Sequence, residues 1–303
     1  MHYYSRDTFK KVIPEHAQAF KKLPSWLYKT AAQLYIDKTF PRHLFIETTA
    51  HCNLQCSYCP RERITNHMDF QLFKQIVDEA STHGARSFSL HLFGEPMFYP
   101  KWYEAIRYIK SKNKHHTVLF TTNGTAIERN IDKLISSGVD KVLWTWRTEA
   151  KFSETTRQKL KRWKPWTVRF IKEVTPPEAY SEDWPHVEER SLHNYGGNIE
   201  PSTFGAMDAK PTSRWPCYHL WLAPAVAWNG NLLICCSDPH QKEVLGRFPE
   251  TTIAQAFRKM EGIRQSHLQG KYLGICAGCD VWKSYPNLFY SWQATGSSSG
   301  GAS

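Results

Sequence analysis

The chain has 303 residues, 41% of them hydrophobic, and a formal net charge of +11. That is long enough for one barrel-sized domain with a small appendage, and too apolar for bulk disorder. No apolar run reaches the ~18–20 residues that span a membrane, and residues 1–22 lack the apolar core of a secretory signal. A cytoplasmic chain with no membrane partner is therefore expected, its dispersed basic residues forming a solvated surface.

In chain order, residues 1–40 predict a helical lead-in, with Ala17, Phe20, Leu23, Leu27, Leu34 and Ile36 near helical spacing and a break at Pro24. Residues 41–200 alternate. β-rich runs fall at 44–49, 87–92, 117–122, 141–146, 167–174 and 190–195, and amphipathic helical patterns at 70–82, 101–111, 126–136 and 154–162. Such alternation predicts an α/β fold with a parallel sheet and right-handed crossovers. Six β segments suggest a partial (β/α)6 barrel rather than a closed eight-stranded one.

A Gly/Pro/Ser/Thr-rich linker at 196–216 opens a region of different composition, 201–290, predicted to be a small α+β domain. Apolar runs at 222–228 and 232–236 flank Asn229-Gly230, a strong short-range hairpin signal. A helix is predicted at 252–261. The Gly/Ser-rich tail, 291–303, is expected to be disordered.

Eight cysteines without an export signal point to metal ligation rather than disulfides. They form two groups, and the long stretch between Cys59 and Cys217 has none. The first group, Cys52, Cys56 and Cys59, has the spacing C-x3-C-x2-C directly after the first β segment. Three thiolates on one loop suit three irons of a [4Fe–4S] cube and leave the fourth open. Zinc sites favour paired C-x2-C knuckles, and only one such pair lies here. With Tyr58 before the last cysteine, the motif resembles the signature of the radical S-adenosylmethionine (radical SAM) superfamily. The resemblance implies S-adenosylmethionine chelated to the open iron, and an electron donor of flavodoxin or ferredoxin type. It also implies cleavage to methionine and a 5′-deoxyadenosyl radical that takes hydrogen from a substrate carbon.

Other stretches resemble the family in order. His91-Leu-Phe-Gly94-Glu95-Pro96 is similar to its Gly-Gly-Glu-Pro motif, with Phe93 where the first glycine usually stands; Gly94, Glu95 and Pro96 would receive the methionine ammonium. Asn123, in Thr-Thr-Asn-Gly, would contact ribose or carboxylate. Thr145 stands near the family's usual serine, and Arg147 is placed to pair with the methionine carboxylate.

The second group reads C-x12-G-x4-C … C-x2-C over Cys217, Gly230, Cys235, Cys276 and Cys279. It resembles the twitch domain, the shortened SPASM domain that follows many radical SAM barrels. A full SPASM domain needs about seven cysteines and this region has five, Cys236 included, so the resemblance implies one auxiliary [4Fe–4S] cluster; zinc on the same thiols is the alternative. Glycine spacing selects Cys235 as ligand and leaves Cys236 spare, and a one-residue hairpin slip would exchange them. A spare thiol there is a packed small hydrophobe or, as a catalytic group, a hydrogen-atom donor.

For the reaction, relatives with one auxiliary cluster and a short N-terminus imply radical oxidation of a polar small molecule such as a sugar or aminocyclitol. Peptide epimerisation or crosslinking is the alternative, disfavoured because 1–40 is short for a peptide-recognition domain. A third possibility lies in residues 157–169, where Trp163 and Trp166 interleave with basic residues, as suits a nucleotide or single-stranded nucleic acid; an amphipathic helix capped by cations and followed by a barrel strand is the favoured reading.

Overall fold

A computed structural model of the chain describes residues 39–200, 217, 219–222 and 224–281. The expected lead-in (for residues 1–38), most of the linker and the tail lie outside the described residues.

The fold is built on one nine-stranded sheet in the order β6-β5-β4-β3-β2-β1-β7-β8-β9. Its first six strands are β1 (His43–Ile46), β2 (Ser87–Ser89), β3 (Thr117–Thr122), β4 (Lys141–Thr145), β5 (Trp166–Ile171) and β6 (Val187–Arg190), each parallel to the next. The helices α1 (Phe70–Thr82), α2 (Trp102–Lys112), α3 (Ile131–Ser136) and α4 (Glu154–Arg162) lie in the first four crossovers. This is the expected α/β architecture, and the sheet stays open because β6 and β9 are edges. Strands β1 and β2 are buried along their whole length, as parallel strands covered on both faces must be.

Local chemistry sets the elements. Asp69 caps α1, its carboxylate accepting from the N–H groups of Gln71 and Leu72 at 2.8 and 3.0 Å. Phe73, Ile76, Val77 and Ala80 then follow the i, i+3, i+4, i+7 pattern and bury one face against the sheet. Trp144 stacks on Trp166 at 5.6 Å and meets Trp184 edge-on at 5.4 Å. This aromatic block fixes the backs of β4 and β5, and Trp144 also donates to the Asn123 carbonyl at 3.3 Å. His43 is a satisfied core histidine, bonded to Ser87 and Ser89 at 2.9 Å each and driven to a pKa of about 3 by burial.

The second region extends the same sheet. β7 (Ala225–Val226) pairs parallel to β1, and β8 (Asn231–Leu233) and β9 (Val244–Arg247) follow antiparallel. Around them lie α5 (His219–Leu222), α6 (Ile253–Lys259), α7 (Glu261–Leu268) and α8 (Ile275–Gly278). Thr252 and Gln255 form a reciprocal capping box on α6.

Several boundaries differ from expectation. The sixth β segment is 187–190, not 190–195, so Leu192 to Tyr195 form a loop over the sheet's end. In the apolar run 222–228, Leu222 closes a helical turn and only Ala225–Val226 are strand, and the helix expected at 252–261 is Ile253–Lys259, with a second helix starting at Glu261. β8 ends at Leu233, which places Cys235 and Cys236 after the strand. Residues 157–169 are also resolved by packing. Arg157, Lys159 and Lys161 pair with Glu182, Asp132 and Asp183, and Trp166 is core at 1% exposure. The stretch forms an amphipathic helix, α4, leading into the barrel strand β5.

Candidate active site

The C-terminal ends of parallel strands are where such sheets place their chemistry. There the loops after β1 to β4, the inner face of β5, the end of β6 and the turn after β8 surround a cavity with about 880 Å³ of empty space, its mouth included. Cys52, Cys56 and Cys59 border it, with Tyr58, Gly94, Glu95, Asn123, Thr145, Arg147 and Cys236. The cavity thus gathers the first cysteine group and all but one of the residues singled out for S-adenosylmethionine. Pro96 is set apart: it opens a short 3-10 turn, buried beside Met97 and Trp102 beneath the cavity.

The cysteine loop is pinned from several sides. Arg61 donates to the carbonyls of Cys52 and Leu54 at 3.0 Å each. The Cys59 N–H donates to the Cys56 carbonyl at 3.1 Å, and the Glu95 N–H to the His51 carbonyl at 2.8 Å. The Asn123 amide donates to the Cys52 sulfur at 3.6 Å. Burial pushes the Cys52 thiol up and the Cys59 thiol to about 11. Ligation by a metal would reverse this, because it deprotonates a thiol outright.

Glu95 is buried, and its carboxylate accepts from the Thr122 hydroxyl at 2.6 Å and the Asn123 N–H at 2.7 Å. Burial raises its pKa to about 7. Arg147 lies 5.1 Å over the Tyr58 ring and donates to the Trp146 carbonyl at 2.6 Å.

Cys217, Cys235, Cys276 and Cys279 border a second, smaller void of about 390 Å³. Two backbone amides donate to their sulfurs: Ser237 N–H to Cys235 and Val281 N–H to Cys279, each at 3.4 Å. N–H donors aimed at sulfur are a device by which proteins tune iron–sulfur clusters. Among the described residues, no three His, Cys, Asp or Glu side chains converge as a single ion requires. Both thiol groups instead surround voids, an arrangement that fits a cluster with a volume of its own.

Cys235 faces the smaller void and Cys236 the larger. Both lie in a turn, so strand alternation does not separate them, and their thiols are hydrogen-bonded. The two thus face different voids, and Cys236, the spare thiol of the sequence reading, borders the main cavity. Ser237 borders both voids.

Several residues escaped the sequence reading. Arg169, Arg190, His193 and Tyr195 also line the cavity. An arginine inside the apolar strand Trp166–Ile171 was the available signal, since inward charge in a barrel strand needs a partner. Asn194 clamps the second cysteine group: it exchanges backbone and side-chain bonds with Asp280 at 2.8 and 3.2 Å and donates to the Gly278 carbonyl at 2.6 Å. Glu47 joins three segments, accepting from the N–H groups of Phe93 at 3.2 Å and Trp228 at 3.4 Å. Burial raises its pKa from the ordinary 4.5 to about 7. A raised carboxyl pKa gives stability that is fully present below 4.5 and lost as pH rises through about 7. Glu47→Gln removes that loss. Its thermal midpoint should gain on wild type across this window, with an upper bound of about 3 kcal/mol; a pH-independent difference would contradict it.

Residues 46–145 match the family model described as the radical SAM superfamily. Over 262 residues the chain is 25% identical to the S-adenosyl-L-methionine-dependent 2-deoxy-scyllo-inosamine dehydrogenase of Niallia circulans, covering 81% of this chain and 94% of that protein. Over 138 residues it is 30% identical to the GTP 3′,8-cyclase of Chlorobaculum tepidum, covering 43% of this chain and 42% of the cyclase. The chain spans less than half the length of several curated relatives it matches. Among solved structures, BtrN in complex with AdoMet and 2-DOIA superposes with a TM-score of 0.62 at 21% identity, over 80% of this chain and 93% of that one. The cysteine loop, the parallel sheet and these matches define an iron–sulfur α/β protein of partial-barrel type. By the family match, residues 46–145 form a region of radical SAM type. Among the described residues, no helix is long and apolar enough to cross a membrane.

Proposed function

We propose that this chain is a radical SAM oxidoreductase that dehydrogenates an alcohol carbon of a polar small molecule. Cys52, Cys56 and Cys59 would hold the cluster that binds S-adenosylmethionine, and Cys217, Cys235, Cys276 and Cys279 an auxiliary cluster. Reduced by a flavodoxin- or ferredoxin-type donor, the first cluster would supply the electron that turns S-adenosylmethionine into methionine and a hydrogen-abstracting 5′-deoxyadenosyl radical.

The observation that carries this reading is the wall between the two voids, where Ser237 borders both. An alcohol carbon that gives up a hydrogen atom, then a proton and an electron, becomes a carbonyl. An electron leaving the cavity has a path one residue thick to the second thiol group. Glu95, Asn123, Thr145 and Arg147 would bind the methionine and ribose groups, and Gly94 and Tyr58 line the same cavity. The near-full-length similarity to a dehydrogenase supports the same reaction class.

Cys236 supplies the discriminating test, because its thiol borders the cavity and is a competent hydrogen donor. Under oxidation, Cys236→Ala keeps both clusters and most turnover. Under epimerisation, the variant still forms 5′-deoxyadenosine but makes no product, and wild type in deuterated water places deuterium in the product. A polyol panel with deuterium tracing into 5′-deoxyadenosine reads both outcomes, and the second would overturn the oxidation mechanism.

A further inference from the structure

We propose that the chain has a second ligand site, apart from the main cavity, which takes a small organic ammonium ion against the carboxylate of Glu47. The inference does not rest on the oxidoreductase reading.

The site is a cavity with about 670 Å³ of empty space, its mouth included, between the cysteine loop and the turns on either side of β8. Among the described residues, Phe93 alone lines both this cavity and the main one. Glu47 follows directly on β1 and is only 5% exposed. Its carboxylate accepts from the N–H groups of Phe93 at 3.2 Å and Trp228 at 3.4 Å, and both of those residues line the cavity, as Glu47 itself does. The carboxylate therefore stands at the cavity wall. These bonds, and one from the Gly94 N–H, come from neutral donors, and the two measured lie at or beyond the long end of the ordinary range. A carboxylate so deeply buried is costly in its charged form unless a cation matches it.

The rest of the wall leaves that place to a ligand. Arg61 lines the cavity, but its guanidinium is fastened to the carbonyls of Glu62, Cys52 and Leu54 at 3.0 Å each. Glu62 faces His240 at 3.5 Å, with side chains 60% and 35% exposed, so this pair belongs to the solvated side of the site. With His240 neutral, two carboxylates in the described wall face one guanidinium, and an ammonium ion is favoured over an anion. Ala50, Ile64, Phe93 and Trp228 make the remaining wall apolar, which suits a hydrocarbon body, and the indole of Trp228 is the aromatic surface on which cations settle best. An ammonium group bound to Glu47 would also offset the stability that the buried acid forfeits on ionising.

The test uses the full chain, reconstituted anaerobically and saturated with S-adenosylmethionine so that the main cavity is filled. Calorimetry compares cyclohexylamine, cyclohexanol and cyclohexanecarboxylate, which share one ring and differ in charge. At pH 8 the amine should bind about tenfold or more tightly than the other two, because its bond to the carboxylate is charge-assisted. Its affinity should rise about tenfold between pH 6 and pH 8 as Glu47 ionises through about 7, the ammonium staying charged throughout. His240 also changes charge near these pH values, so the slope is read again in His240→Ala, where it should persist, and in Glu47→Gln, where it should vanish along with the preference for the amine. Trp228→Leu keeps the backbone N–H that Glu47 accepts and removes the ring, and should weaken the amine about threefold or more. Iron content reports that each variant has folded; if Glu47→Gln fails that check, the wild-type slope and the Trp228→Leu loss decide. Equal binding of the alcohol or the acid overturns the inference, as does failure of all three to bind. Amine binding only when S-adenosylmethionine is absent overturns it too, since the ammonium would then occupy the main cavity. Tighter binding of Nα-acetyl-lysine amide than of cyclohexylamine would assign the site to a peptide instead of a free amine.

Discussion

Replacing Cys52, Cys56 and Cys59 together by alanine should abolish the reductive cleavage of S-adenosylmethionine to 5′-deoxyadenosine. The three thiols, the ligands expected for the first cluster, stand on a loop pinned by Arg61 and by the Glu95–His51 backbone bond. Without them no cluster can assemble beside Glu95 and Asn123, and no other cysteine of the described cavity wall replaces them, because Cys236 lies across it beside Cys235. The second thiol group is untouched, so the variant should retain about four irons per chain. Anaerobic chromatography of the reaction and iron analysis read both effects. Residual 5′-deoxyadenosine at the wild-type rate would remove the loop from the chemistry.

Gly94→Ala should be nearly as damaging, for a steric reason. A β-carbon at Gly94 would collide with the Thr49 carbonyl oxygen, and would lie 2.7 Å from the Thr49 carbonyl carbon and 3.0 Å from that of Ala50. These are backbone atoms held in place: Thr49 bridges to His67, the Ala50 N–H bonds the Asn66 carbonyl at 2.9 Å, and the Met68 N–H bonds the Thr48 carbonyl at 2.9 Å. The Gly94 side is equally constrained, through Glu47 to Phe93 and through Glu95 to His51. One loop must shift, and these two loops carry the first cysteine and Glu95. A loss of about 3 kcal/mol or more is expected, at the upper end for overpacking, together with at least tenfold weaker S-adenosylmethionine binding, each tenfold being about 1.4 kcal/mol. Thermal unfolding and equilibrium binding check the two parts. Alanine tolerated at wild-type stability and affinity would mean that the loops are not in close contact.

Much of this was legible in the sequence because it depends on near neighbours. The C-x3-C-x2-C spacing, the alternation of apolar runs with amphipathic stretches and the Asn229-Gly230 turn are all local, and they yielded the six-stranded parallel core, its four covering helices and both cysteine groups. What escaped depends on distance along the chain or on weak patterns. Glu47 takes its meaning from Phe93 and Trp228, far off in sequence. Strand β9 is short, contains Gly246 and carries an irregularity in its pairing, so it has no clear period of two. The edge strand Val187–Arg190 is largely charged and reads as surface. The turn that carries Cys235 and Cys236 was read as strand because the apolar run 232–236 is continuous, whereas the ladder stops at Leu233 and the chain turns. The continuous sheet was invisible for a similar reason: it rests on the Phe45–Ala225 and Ile46–Val226 pairs, which join β1 to β7 across most of the chain.

The central claim is that two separate thiol groups hold two clusters on either side of one cavity wall. The measurement that bears on it most directly is the iron, sulfide and zinc content of the anaerobically reconstituted wild-type chain, backed by Mössbauer spectroscopy. About eight irons and eight sulfides per chain, all in cubane form, are expected from two [4Fe–4S] clusters. About four irons with one zinc bound by the second thiol group would leave the cavity without its electron acceptor and contradict the account.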